Sequence, residues 1–338
     1  MLSEISFSIT PEILKPGGIE VRYPMAQSFA EKQNSVFWTH TEIEVEKDIQ
    51  DILVRITETE KHGVLTVLKI FTRYEITVGE EYWGSIIKKL FPRHELQEMA
   101  SCFAYFELCV HKRFYAKIDE LLHLNTDDFY NSYVEDETLK NRVEFITESL
   151  ASDDILYSLA VFAIIEGAVL YSSFAFLKHF QSQGKNKLVN IVAGIDFSVR
   201  DENLHHEAGS WLFKTLLSES QVSPEFQEEL YGKIYSSAQI IREHEHRIVD
   251  MIFEKGTMEG ITKGQMKNFV DSRIDLCLQN LGLSAVYNPA SNPIAEWFYM
   301  GITVGKMHDF FNKIGSNYHR NWNEKAFSWT KSLEESNV

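Results

Sequence analysis

Turn-forming residues are sparse. Seven prolines in 338 residues, with glycines seldom clustered, are too few to cut the chain into the many short strands of an all-β fold. Cysteine is scarcer still. Cys102, Cys109 and Cys277 have neither the number nor the spacing of a disulfide framework or a zinc ribbon, which fits a reducing cytosol and a cytoplasmic protein. Positive charge is also short: 33 Lys and Arg face 49 Asp and Glu, a formal net charge of −16 at pH 7. Such a surface repels phosphates, so no nucleic-acid partner is expected. The N-terminal MLSEISFSITPEIL carries acids early and lacks a basic region followed by an apolar one, so no secretory signal is expected.

What the chain does have is one long apolar run, LYSLAVFAIIEGAVLYSSFAFL, from Leu156 to Leu177, with Glu166 near its middle. Its length nearly suffices for a membrane span, but a central carboxylate is costly in lipid, and the acidic SDDI that precedes it offers no basic flank. No membrane association is expected. A helix apolar on every face instead belongs at the centre of a soluble bundle. Glu166 must then be paired, protonated or metal-bound, because an isolated buried carboxylate is expensive.

Helical periodicity covers most of the remaining chain. The patterns predict helices over about Thr41–Ile56, His62–Phe91, Arg93–Leu124, Glu137–Ser149, Asp153–Gln183, Asn186–Glu219, Ser223–Lys255 and Thr262–Leu281. The expected class is all-α. An irregular segment rich in turn residues (TPEILKPGG) is expected over residues 1–40, one large helical domain over 41–318, and a polar tail over 319–338.

Four of these segments carry acids or histidines on apolar backgrounds. FAYFELCVHKRFY places Glu107, His111 and Tyr115 at successive i+4 spacings on one face. Glu166 is the second. SVRDENLHHEAG holds Glu202 and His205 as Glu-x-x-His, and LKIFTRYEITVGEEYW offers Glu75, with Glu80 and Glu81 as competitors. Taken alone, Glu202 with His205 would read as an ordinary solvated pair. Together, one carboxylate from each of two helices and a Glu with a His from each of two others make the ligand set of a ferritin-like dinuclear carboxylate site. Anionic oxygens neutralise and bridge two first-row metals, and one imidazole completes each shell.

With these residues in place, the chain resembles the small, radical-generating subunit of class I ribonucleotide reductase. RDENLH is similar to that family's Arg-Asp-Glu-x-x-His, IIEGAVLYSSFAF is of the family's type, and the likeness runs from FWTHTEIEVEKD through LGLSAVYNPASNPIAEWF to HDFFNKIGSNY. The resemblance implies that Glu75, Glu107 and His111 serve one metal while Glu166, Glu202 and His205 serve the other, with Glu107 and Glu202 bridging. The ions would be two iron, two manganese or one of each. Tyr115 would carry the radical formed when the reduced metals react with oxygen, with Leu170 and Phe174, on the Glu166 helix face, lining its pocket. Trp38 and Asp201 would link His111 to the surface, and the C-terminal tail would dock on the large subunit. A homodimer is implied as well.

The chain departs from the family pattern in three places. FELCVH has three residues between Glu107 and His111 where the family has two, which predicts a single-turn bulge. The first ligand is Glu75 where many members use Asp. No tyrosine follows Tyr318, so Trp322, Phe327 and Trp329 are the aromatic residues left for the tail. The competing enzyme class is another dinuclear oxidase of this bundle, a desaturase or a ligand-binding oxidase, whose metals would open onto an organic substrate; Trp38, Asp201 and NPIAEW speak against it. A non-enzymatic iron store would typically be a much shorter chain.

Overall fold

A computed structural model describes residues 10–299, except for the side chains of residues 72–78, 130 and 134. Among the described residues the structure is helical without β-strands, its one extended pairing being an isolated bridge between Met258 and Ile261. The helices are α1 (Pro24–Ser35), α2 (Glu58–Ile76), α3 (Ile87–Leu90), α4 (His94–Tyr105), α5 (Lys112–Leu121), α6 (Asp127–Glu135), α7 (Glu137–Leu150), α8 (Ile155–Ala168), α9 (Tyr171–Lys178), α10 (Val189–Ser220), α11 (Pro224–Ile252) and α12 (Lys263–Asn280).

The apolar run forms the axis of the bundle. α8 lies along α10 and packs against α11 and α12, and from Leu156 to Ala168 every residue except Tyr157 is buried. Side-chain caps set the helix starts: Asp154 accepts from the Tyr157 amide, Asp136 from Thr138 and Leu139, Ser223 from Phe226, and Thr262 forms a capping box with Gln265.

Three local expectations are corrected. Residues 41–56 are not one helix but 3-10 turns at His40–Glu42 and Val45–Asp48 followed by a π turn at Asp51–Arg55. Their acids are used elsewhere: Asp48 accepts from the Ile191 amide and Asp51 from the Leu188 amide, capping the start of α10. The stretch read as irregular up to residue 40 contains α1, opened by Pro24 at its first position and packed on α4.

The helix expected over Asp153–Gln183 breaks at Val169 and Leu170, where Val169 is extended and Leu170 adopts φ 75°. Leu170 and Phe174 are therefore not on one continuous helix with Glu166. Tertiary contacts impose the break. Arg273, itself buried, donates two hydrogen bonds to the Gly167 carbonyl at 3.0 and 2.7 Å, taking up an acceptor that a helix end leaves without a partner.

Candidate metal centre

Glu107, Glu166, Glu202 and His205 converge from three segments, with one potential ligand atom from each lying within 4.8 Å of the others. All four are buried, none more than 1% exposed. α8 supplies Glu166 and α10 supplies Glu202 and His205.

Glu107 and His111 lie on a π-helical segment, Phe106–His111, inserted between α4 and α5. A π turn holds one residue more than an α turn, so the extra residue of FELCVH is accommodated and both side chains face inward. His111 Nδ1 stands 3.1 Å from Glu107 Oε2 and 3.2 Å from Glu202 Oε1.

The two imidazoles are oriented alike. His111 Nε2 lies 3.1 Å from Asp201 Oδ2, and His205 Nε2 lies 3.2 Å from Gln33 Oε1. With Nε2–H donated outward in each case, Nδ1 is the nitrogen turned to the carboxylates, and His205 Nδ1 comes within 2.7 Å of Glu107 Oε1. Metal-binding histidines are held in this way, one nitrogen on the ion and the other on an outer acceptor.

The carboxylates also fit an ion. Glu166 Oε2 and both Glu202 oxygens are buried without a directed hydrogen bond, a costly arrangement unless a cation meets them. Burial pushes the Glu166 carboxyl up, and Glu202 and Glu107 push it further, well above the usual carboxylate range. Burial acts the same way on Glu107, but His111 and His205 outweigh it and hold that carboxyl well below the range. His111 is raised well above an ordinary imidazole although burial opposes this, because Glu107, Asp201 and Glu202 surround it.

Asp201 Oδ2 accepts a second hydrogen bond, from Trp38 Nε1 at 2.7 Å. The Trp38 ring lies 5.9 Å from that of His111, at 30°. Arg200, the ordinary alternative partner of Asp201, approaches only to 3.7 Å. Tyr115 is buried at 2% exposure, its ring stacked on Phe71 at 4.3 Å and beside Phe114 at 5.2 Å. Phe174 stands behind Phe71 at 5.7 Å.

Glu80 and Glu81 are exposed, which removes both as rivals of Glu75. The Glu75 side chain lies outside the described residues. Three contributors were not anticipated from the sequence: Gln33 of α1, Phe71 of α2, and Trp83, whose Nε1 donates to Glu166 Oε1 at 2.7 Å. Each meets the site across a separation in sequence that no local pattern marks.

A family model described as ribonucleotide reductase, small chain, matches residues 19–293. The chain belongs to this family. Among curated small chains, the probable ribonucleoside-diphosphate reductase small subunit of Invertebrate iridescent virus 3 is 25% identical over 316 residues, covering 88% of this chain and 82% of the viral one. Subunit beta of ribonucleoside-diphosphate reductase 1 from Escherichia coli O157:H7 is 23% identical, covering 81% and 80%. Among solved structures, a putative class I ribonucleotide reductase from Bacillus halodurans gives a TM-score of 0.72 at 23% identity, covering 82% of this chain and 99% of that one. The dimanganese(II)-NrdF of Streptococcus sanguinis gives 0.72 at 22%, covering 85% and 99%. The all-α, ferritin-like bundle is thereby established. As a ribonucleotide reductase small chain, the protein is one part of an enzyme that also requires a large subunit.

Gly79 shows how closely this small chain is packed around the cluster. It lies in a second π-helical segment, Thr77–Ile86, and a Cβ there would stand 2.6 Å from Glu107 Cβ and 2.9 Å from Leu108 Cγ. Alanine would gain about 1 kcal/mol of helix propensity in an open position. Here the clash is with the root of a side chain and wins. Gly79→Ala is expected to displace Glu107 and lower the bound metal measured by elemental analysis below that of wild type; unchanged content would show that the two segments can part.

Proposed function

We propose that this small chain generates the oxidising equivalent for reduction of ribonucleotides to deoxyribonucleotides and passes it to the large subunit. The carrying observation is the hydrogen-bonded series His111, Asp201, Trp38, joined to a buried cluster of three carboxylates and a histidine. An iron store has no need of such a link, and an oxidase acting on an organic substrate needs its metals accessible, whereas these side chains are enclosed.

Glu75, Glu107 and His111 would hold one ion and Glu166, Glu202 and His205 the other, with Glu107 and Glu202 shared. Iron, manganese or one of each suits this donor set, and the dimanganese(II) state of the Streptococcus sanguinis neighbour supports manganese among them. When bound, such a pair supplies reaction with oxygen and a strongly oxidising centre. Tyr115 would give its electron and its phenol proton to the oxygen being reduced there, and the rings of Phe71 and Phe114 would keep water and other reductants from the phenoxyl. Asp201 holds the N–H of both His111 and Trp38, so that charge moving between the two rings does not leave an unbalanced proton in a dry core.

Delivery to the partner is assigned to the C-terminal tail, residues 319–338, and the working form to a cytoplasmic homodimer; Tyr318 and the tail lie outside the described residues. A polar tail with a few apolar anchors suits ordering on a partner. Deleting the residues after Ser328 is expected to abolish nucleotide reduction, assayed with the large subunit, while Tyr115 radical formation persists. Undiminished reduction would refute the docking role. For the function itself, anaerobic Fe(II) loading followed by air should give a sharp tyrosyl absorption above oxidised-iron bands; iron bands alone would favour the other oxidases.

A further inference from the structure

Trp83 makes the one hydrogen bond that reaches the Glu166 carboxylate from a neutral side chain among the described residues. Its Nε1 donates to Oε1 at 2.7 Å, and Oε2 has no hydrogen-bond partner. The indole is fully buried and wedged from several sides. Phe103 meets it edge-on at 4.9 Å, Tyr82 at 5.0 Å and Phe162 at 6.2 Å. Phe162 lies one turn before Glu166 on α8, so the same helix is gripped both by the ring and by the N–H. Trp83 reaches this place from the π-helical segment Thr77–Ile86.

A carboxylate can bind ions through one oxygen or through both. In a dry core the choice is set by which oxygen already has a donor, since abandoning that donor leaves it buried and unpaired. We propose that Trp83 is a positioning residue for Glu166: its N–H reserves Oε1 and leaves Oε2 as the oxygen offered to a metal, fixing the binding mode of this ligand. Resting as it does on the dinuclear-site reading, the assignment goes beyond it by naming a residue outside the six ligands that governs one of them. Partners of this kind typically change metal affinity by about 10- to 100-fold when removed.

The test separates the hydrogen bond from the packing. Trp83 is replaced in the full-length chain by benzothienylalanine, which keeps the ring shape but has sulfur in place of N–H, and in a second variant by Phe. Mn(II) affinity and the visible spectrum of the Co(II)-loaded protein are measured beside the melting temperature without metal. Benzothienylalanine is expected to weaken Mn(II) binding about tenfold and to alter the Co(II) bands, with little change in metal-free melting. Wild-type affinity and an unchanged Co(II) spectrum in that variant would overturn the role. So would a Phe variant that lowers only the metal-free melting temperature. Wild-type protein that takes up neither ion would overturn the dinuclear reading itself, and with it this assignment.

Discussion

Tyr115→Phe should leave the protein folded and metal-loaded but without a radical. The substitution removes one oxygen from a ring already packed on Phe71 and Phe114, so the stability cost is that of a single hydroxyl, about 1 kcal/mol. No ligand candidate is touched, and metal content should match wild type. What disappears is the group that can lose an electron and a proton together. Electron paramagnetic resonance after metal loading and oxygen exposure should therefore show no tyrosyl signal, and ribonucleotide reduction with the large subunit should fall to background.

A surviving signal would move the assignment to Tyr82 or Tyr171, the other fully buried tyrosines near the cluster. Both are less suited. Burial, joined by the Glu166 charge at Tyr82 and outweighing Arg273 at Tyr171, holds both phenols well above their ordinary range, and the Arg273 guanidinium lies 3.8 Å over the Tyr171 ring, where positive charge opposes loss of an electron.

Glu166→Gln should separate metal binding from folding. Burial, Glu202 and Glu107 already favour the protonated form of Glu166 in the metal-free protein, and Gln is nearly its isostere, with an oxygen still able to accept from Trp83. The metal-free melting temperature is therefore expected to be unchanged or higher. The loaded protein tells the other half: an ion held at a hundred times its Kd stabilises the fold by about 2.7 kcal/mol per site, and the variant should lose that increment for the ion Glu166 serves. Stoichiometry should drop below two per chain, measured by elemental analysis and by the metal-dependent shift in melting. Retention of two ions with a full thermal shift would exclude Glu166 as a ligand.

Glu166 stood out because an acid is out of place on a helix this apolar, whereas Glu107, His111, Glu202 and His205 drew notice through their spacing, and the structure brings Glu107, Glu202 and His205 beside Glu166. The bulge was legible for a related reason: one residue too many between Glu107 and His111 had to be stored somewhere, and a π turn stores it. The break at Leu170 was not legible. EGAVLYSS contains no proline, and its single glycine is not by itself a helix stop; the break is made by Arg273, about a hundred residues away, and by the close seating of Gly167, whose Cβ position is already filled by Cys277 and His206. Gln33 and Trp83 were hidden in the same way. The periodicity of residues 41–56 misled because its acids cap α10 rather than face solvent on a helix of their own.

The segment Phe106–His111 has a consequence for how such a chain tolerates change. An insertion within an uninterrupted α-helix would rotate every later side chain by about 100°, turning Phe114, Tyr115 and Ile118 out of the core in which all three are buried. Confined to six residues, the surplus behaves like a frameshift corrected downstream: the message is garbled briefly and then resumes in phase. A lineage carrying this extra residue could thus alter the spacing of Glu107 and His111 without moving the tyrosine beyond them.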